Sequence, residues 1–303
     1  MINKLSKIEI ISMLTLDRLD LTKKAVNSIL KYTNNKFKIV FCDNGSKEDT
    51  LNYLDNLKAE HPSLVDLLKN EENIGVAAGR NKIYRHVIAN YGNNFRWILN
   101  LDNDCMVHKN YDTSLTGCFE ETDAIAVCPK LIQPNGKIFH NAYDGFLINL
   151  DEMQLKLEYG DNVNLSHDDP KVSSRMKTDV ILGTSAKTPE FLNEIGFYDE
   201  GHKIGWEDYS IALRALGLKK EDFLNWKEQN EHQGETWVPL RKLMDSRKDF
   251  PDLRIIYEPK CVITHDHPVT EKDHEYEKTR WDPQIIADST AHFEYTWGLK
   301  PIM

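Results

Sequence analysis

The sequence predicts an α/β fold: a mixed, mainly parallel central sheet flanked by helices, with insertions in its second half. Short β-rich runs alternate with amphipathic helical stretches over the first hundred residues, the alternation that builds a parallel sheet with helices on both faces. Acidic residues stand at the carboxyl ends of those runs, where open α/β sheets bind their ligands. The 303 residues, 40% hydrophobic and 28% charged, have the composition of an ordinary folded body rather than a disordered chain.

In chain order, Ile8–Met13 reads as the first strand. Leu19–Tyr32 follows as a helix that puts Leu21, Ala25, Val26, Ile29 and Leu30 on one face. Phe37–Cys42 is the next strand, closed by the turn residues Asp43-Asn44-Gly45-Ser46. Thr50–Ala59 carries Leu51, Leu54 and Leu57 at helical spacing, Leu64–Leu68 is apolar without a clear period, Gly79–Ala89 is helical, and Phe95–Leu101 is a buried strand. Beyond Asp104 the pattern loosens. Ala124–Val127 and Val180–Leu182 read as strands, and Phe139–Leu157 as a hairpin turning at Tyr143-Asp144-Gly145. Asn162–Lys177 is polar, with a loop at Asp168-Asp169-Pro170. Glu207–Leu216 is a helix burying Ile211, Ala212, Ala215 and Leu216; Lys219–Asp252 is a charged helical insertion, and Leu253–Thr264 returns to strand. The expected organisation is one body over residues 1–265, divided at 107/108 and carrying the insertion 219–252, followed by an aromatic-rich extension, 266–303.

A net charge of −10 argues against sequence-independent binding of nucleic acid, whose affinity comes from Lys and Arg neutralising phosphates. It leaves open an anionic ligand held through a metal. The apolar run near Ile8–Ile11 is too short and too charged for a signal-peptide core, and no stretch reaches the ~18 apolar residues of a transmembrane segment. The five cysteines are scattered and form no C-x-x-C pair, so neither a zinc knuckle nor a disulfide framework is expected. The expected setting is a reduced cytoplasm, with peripheral attachment to the inner face of a membrane left open.

Asp17 and Arg18 follow the first strand, Asp43 the second, and Asp102-Asn103-Asp104 the apolar strand Trp97–Leu101. Each alone is compatible with a solvated turn or a helix cap. Two carboxylates at i and i+2 straight after a buried strand are a sharper feature. Buried carboxylates are costly without compensation, and a divalent cation supplies it while leaving positions open for phosphate oxygens.

Taken in order, these segments resemble the nucleotide-sugar glycosyltransferases of the GT-A fold, nearest to glycosyltransferase family 2. Ile10–Arg18 resembles the family's opening strand and P-T-Y-N-R turn: Thr15 and Arg18 match, while Leu14, Leu16 and Asp17 replace its proline, tyrosine and asparagine. Ile39–Ser46 resembles its V-V-D-N-G-S segment, which implies that Asp43 contacts the nucleotide base. Asn73-Ile74-Gly75 through Arg80-Asn81 resembles the N-x-G-x-A-x-x-R-N stretch beside the nucleotide, and Asp102-Asn103-Asp104 the metal-binding D-x-D motif. Further on the match is looser. Leu182–Ala186 resembles a glycine-containing loop near the acceptor, Gly205-Trp206-Glu207-Asp208 the segment whose aspartate is commonly the general base, and Ile256–His265 the strand whose final histidine completes the metal site in many relatives.

The resemblance implies a metal-dependent glycosyltransferase of the hexosyltransferase class, with Asp208 and Glu207 as catalytic candidates. Thr15, Arg18, Asp43, Asn73, Gly75, Arg80, Asn81, Asp102 and Asn103 are candidates for the donor, and Asp102, Asp104 and His265 for Mn²⁺ or Mg²⁺. It implies a nucleotide-binding half over 1–107 and an acceptor-binding half over 108–265, a UDP-sugar as the favoured donor, and inversion by single displacement. The acceptor (glycan, lipid, peptide or small molecule) is not specified, since Asn141–Thr178 and Lys219–Asp252 have no counterpart in the family pattern. His267, two residues after His265, is the alternative metal ligand, and imidazole beside carboxylate favours Mn²⁺ over an all-oxygen Mg²⁺ site. Glu207-Asp208 also suits simple capping of a helix N-terminus, and Trp206 suits either a core anchor or an acceptor platform. His232 and His274 read as solvated surface residues. The insertion and tail offer an acceptor platform or a self-association surface, the latter implying a homo-oligomer. Two other readings are a nucleotide-sugar-binding protein without turnover, which the departures at Leu14 and Leu16 permit, and a sugar-phosphate nucleotidyltransferase, against which the glycine-free Ser12–Asp17 speaks.

Overall fold

A computed structural model describes residues 7–139, 145–158, 165–245, 253–267 and 282–302. The first half alternates as the sequence pattern requires: β1 (Ile8–Thr15), α1 (Leu19–Tyr32), β2 (Phe37–Asp43), α2 (Glu48–Glu60), β3 (Val65–Lys69), α3 (Val76–Tyr91) and β4 (Phe95–Asp102). β5 (Cys105–Val107), α4 (Tyr111–Glu121) and β6 (Ala126–Ile132) follow, then the hairpin β7 (Phe146–Asn149) and β8 (Gln154–Leu157). The remainder is β9 (Met176–Lys177), β10 (Ala186–Lys187), α5 (Pro189–Glu194), α6 (Glu207–Ala215), α7 (Lys220–Glu228), β11 (Val238–Pro239), α8 (Leu240–Asp245), β12 (Ile255–His265), α9 (Pro283–Trp297) and β13 (Lys300–Ile302).

The central sheet runs β3-β2-β1-β4-β10-β6-β12-β5, with β9 against β12. β1, β2, β3 and β4 are mutually parallel, as are β6 and β12; β10 enters antiparallel between β4 and β6. The parallel strands are buried on both faces, which is why Ile39–Cys42 and Trp97–Leu101 read as continuous apolar runs. Fully buried Phe41, Tyr84, Phe95 and Trp97 anchor the core, each worth roughly 1.5–3 kcal/mol of burial. A smaller sheet, β11-β7-β8-β13, holds the chain's last strand parallel to β8.

Several local expectations change. The hairpin turns at Leu150–Met153, not at Tyr143–Gly145, of which residues 143 and 144 lie outside the described residues; Asn149 accepts from the Glu152 N–H to form the turn. Val180–Leu182 is irregular backbone and the strand comes later, at Ala186–Lys187, because the earlier apolar run forms a cleft wall. The apolar stretch from Leu64 is a genuine edge strand, β3. The insertion is partly helical, and it is anchored through buried Phe223 and Trp226. His232 is buried, with Nε2 3.0 Å from Asp151, whereas His274 lies outside the described residues. All five cysteines are buried and free, and among the described residues no helix is long and apolar enough to cross a membrane.

Candidate active site

The carboxyl ends of β1 and β4 open on a cleft of about 350 Å³, closed on the far side by the α6 N-terminus and Val180–Thr184. Two charge clusters sit in it. The first is built by a tight connection: β4 ends at Asp102, Asn103 and Asp104 turn, and β5 then pairs antiparallel with the end of β12, setting His265 opposite Cys105. Asp104 Oδ1 lies 3.3 Å from His265 Nε2, and Oδ2 lies 2.8 Å from His267 Nδ1 and 2.9 Å from Arg18 Nη1. Burial opposes ionisation of Asp104, but the two imidazoles and the Arg18 charge hold its carboxyl well below the usual carboxylate range.

The donor set of this cluster fits a divalent ion. One carboxylate and two imidazoles have ligand atoms within 4.8 Å of one another, a mixture that suits Mn²⁺ or a neighbouring transition ion. His267 Nδ1 also faces Arg18 Nη1 at 3.1 Å, so a nitrogen that can accept from the guanidinium or donate to Asp104 cannot do both. Asp102 comes within the same range of Asp104 and Cys105. Burial and the two aspartates push the Cys105 thiol far up, which keeps it protonated and a poor ligand.

The second cluster is centred on Arg80. Its buried guanidinium lies 3.2 Å from Asp208, 3.3 Å from Asp102 and 3.7 Å from Glu207, over the Tyr198 ring. Trp206, in the left-handed region at φ 67, is the N-cap of α6 and turns the chain so that Glu207 and Asp208 open the helix into the cleft. Burial and the Asp208 charge push Glu207 up to about 7 against the pull of Arg80; Asp208 is raised by burial, with Arg80 and Lys187 opposing. Lys187, fully buried behind them, is pushed down to about 7 by burial and by Arg80. Gly183 leaves the room this cluster needs: a Cβ there would stand 2.8 Å from Arg80 Nη2 and 3.1 Å from Asp208 Oδ2.

A family model described as glycosyl transferase family 2 matches residues 11–176, more than half of the chain. The chain belongs to glycosyl transferase family 2. Its fold is that of the GT-A glycosyltransferases among solved structures. GalNAc-T7 crystallised with UDP, GalNAc and Mn²⁺ is 18% identical with a TM-score of 0.59, over 88% of this chain and 45% of that one. TarS 1–349 of S. aureus is 14% identical with a TM-score of 0.52, over 95% and 72%. The mannosyltransferase PcManGT from Pyrobaculum calidifontis, in complex with GDP-Man and Mn²⁺, is 14% identical with a TM-score of 0.53, over 94% and 63%. This family 2 chain thus spans less than half the length of the GalNAc-T7 chain. No curated protein matches it.

Among the sequence candidates, Asn73, Arg80, Asp102, Asn103, Asp104, Glu207, Asp208 and His265 line the cleft of this family 2 chain. Thr15 and Asp43 lie buried at the ends of β1 and β2. Asp43 Oδ2 accepts from the Gly45 and Ser46 N–H groups, while its Oδ1 and Thr15 Oγ1 have no partner. Asn73 ties the loops together, accepting from Asn44 Nδ2 and the Gly75 N–H, and Gly75 packs against the Lys203 backbone. Asn81 turns away to Tyr198 and Glu200, a structural placement outside the cleft lining. His267, expected only as the alternative to His265, joins it at Asp104, so the expected boundary after 265 cuts through this cluster. Lys187 had no signal in sequence: a lone lysine in a short strand reads as surface.

Proposed function

We propose that the chain transfers a sugar from a nucleoside diphosphate sugar, UDP-linked in the favoured reading, to an acceptor hydroxyl, with inversion at the anomeric carbon. The reading rests on one observation above others: Asp104 and His265, which cluster with His267, share one cleft with the Asp208 carboxylate, and Arg80 lies between Asp102 and Asp208. In this reading Asp43 and Thr15, whose unpartnered oxygens lie at the ends of β2 and β1, receive the nucleoside, with Asn73 and Gly75 shaping the adjoining loop. Asp104, His265 and His267, with Asp102 beside them, would hold a divalent ion, which would supply Lewis-acid neutralisation of the leaving diphosphate.

Asp208 takes the proton of the acceptor hydroxyl as its oxygen bonds to the anomeric carbon. The bond from that carbon to the phosphate oxygen breaks, and the electron pair leaves with the nucleoside diphosphate. Burial raises the Asp208 pKa, which strengthens the carboxylate as a proton acceptor, while the Arg80 charge favours its ionised form. Glu207 orients the acceptor. The apolar walls Val180–Leu182, Trp206 and Ile286 exclude water from the reacting centre.

The test is a screen of UDP- and GDP-sugars with and without Mn²⁺, read as donor hydrolysis and thermal shift. A nucleotide plus Mn²⁺ is expected to stabilise more than either alone, and to raise stability over the unliganded chain by about 2.7 kcal/mol at 100 times Kd. No shift and no hydrolysis with any donor would overturn the reading, and the anomeric configuration of a product, by NMR, decides inversion.

A further inference from the structure

We propose that Asp199, His202 and His292 form a second metal site, suited to Zn²⁺, that fastens the C-terminal helix to the loop leading into Glu207-Asp208. The three come from separate parts of the chain, and their ligand atoms lie within 4.8 Å of one another. His292, on α9 (Pro283–Trp297), places Nε2 2.8 Å from Asp199 Oδ2. The His202 and His292 rings stand 4.8 Å apart between centroids, at 77°.

His202 is what points to a ligand. It is 0% exposed, yet neither ring nitrogen has a hydrogen-bond partner. A buried polar group without a hydrogen-bond partner is costly, so two such atoms on one side chain are unusual without an occupant. Asp199 is already oriented: its Oδ1 accepts from the Gly201 N–H at 2.9 Å, leaving Oδ2 for the cluster. Gly201 opens the slot, since a Cβ there would stand 2.2 Å from His292 Nε2.

The chemistry selects the ion. Two imidazoles and one carboxylate make a nitrogen-rich set of the kind that holds Zn²⁺, with a fourth position for water. Asp199 and His292 are about one-third exposed (31% and 33%), which provides both that water and an access route. Zn–N and Zn–O distances of about 2.0–2.2 Å ask that the 2.8 Å His292–Asp199 contact widen slightly and that the three ligand atoms, within 4.8 Å of one another, settle around the ion. The ion would brace a loop that reaches both sides of the cleft: the Lys203 carbonyl accepts from the Val76 N–H at 2.7 Å, and Trp206 Nε1 donates to Thr290 on α9 at 2.9 Å.

The experiment is metal analysis of tag-free, full-length chain equilibrated with Zn²⁺, wild type against His292→Ala and Asp199→Asn. The difference expected is one equivalent of Zn²⁺ per chain, whatever the Asp104 cluster takes up. With Co²⁺ in its place, the wild type should show a visible band of a tetrahedral nitrogen-ligated ion in addition to the absorption of the Asp104 cluster, and both variants should lose that additional band. Circular dichroism checks that each variant is folded, and Asp199→Asn keeps the side-chain volume should His292→Ala fail that check. Equal Zn²⁺ content in wild type and a folded variant, or a Co²⁺ spectrum unchanged by the substitution, would overturn the proposal.

Discussion

Replacing Arg80 by methionine tests how far one guanidinium sets the charge balance of the cleft. Arg80 faces Asp102, Glu207 and Asp208, but not equally in energy. The Asp102 side chain is 41% exposed, so water screens that pair and it contributes little. Glu207, 9% exposed, and Asp208, 27%, carry the effect. Burial and Asp208 already raise Glu207 from 4.5 to about 7, and losing the cation raises it further. Between its unfolded and folded pKa, a buried acid holds in the native state a proton that the unfolded chain has lost. Stability therefore falls with rising pH, by about 1.4 kcal/mol per unit for one group, and levels off above the folded value. For the wild type that levelling comes near pH 7; in Arg80→Met the decline continues through pH 8. The variant's deficit at pH 8 is thus expected to exceed its deficit at pH 6 by about 1–1.5 kcal/mol from Glu207 alone. The total at pH 8 is expected at about 3 kcal/mol, the low end for a broken buried pair because Asp208 keeps some water. Urea unfolding at the two pH values reads both quantities. A deficit under about 1 kcal/mol at pH 8, or the same deficit at both, would refute the assignment of Arg80 as the counter-ion of this pair.

Three further outcomes follow from the same geometry. Asp208→Asn should keep donor binding by calorimetry while transfer falls roughly 10²–10⁴-fold, and unchanged turnover would remove it as the base. Gly183→Ala should fold but lose about 10–100-fold in kcat, since its Cβ at 2.8 Å from Arg80 forces a shift of several tenths of an ångström in a pinned group; a wild-type rate would mean that the Arg80–Asp208 geometry is not limiting. His267→Ala should weaken the Mn²⁺ dependence of activity as much as His265→Ala does, read as the Mn²⁺ concentration at half-maximal rate, and an effect confined to His265 would exclude His267 from the site.

The strand–helix order of the first hundred residues was legible because its causes are local: apolar period, turn residues at Asp43–Ser46, and carboxylates straight after Leu101. The pairings that make the site are not local. Arg80 meets Asp208 across 128 positions and His292 meets Asp199 across 93, and no spacing rule links them. Val180–Leu182 shows the opposite failure: three apolar residues suit a strand, but here they line a cleft, and apolar character alone cannot tell ladder from wall. His232 misled because a histidine in a charged insertion reads as solvated, while its partner Asp151 lies 81 residues away.

The C-terminal extension was legible only as a tail, yet it is part of what positions the candidate base. α9 gives Ile286 to the cleft wall, Thr290 to Trp206, His292 to Asp199, and through Trp297 Nε1 a hydrogen bond to Ser210 Oγ on α6 at 3.2 Å. Those contacts fall on the loop before Glu207-Asp208, on the N-cap residue, and on the helix that follows. Burial is the first cause of the raised pKa values of both acids, and the contacts that keep them buried run through this helix as well as through Arg80. The proton affinity of Asp208 is therefore set from two sides: Arg80, on α3, favours the ionised form, and the packing around α6 and α9 favours the protonated one. A base balanced in this way needs its flanking loop to hold still, and Asp199, at the loop's start, is where α9 takes hold of it.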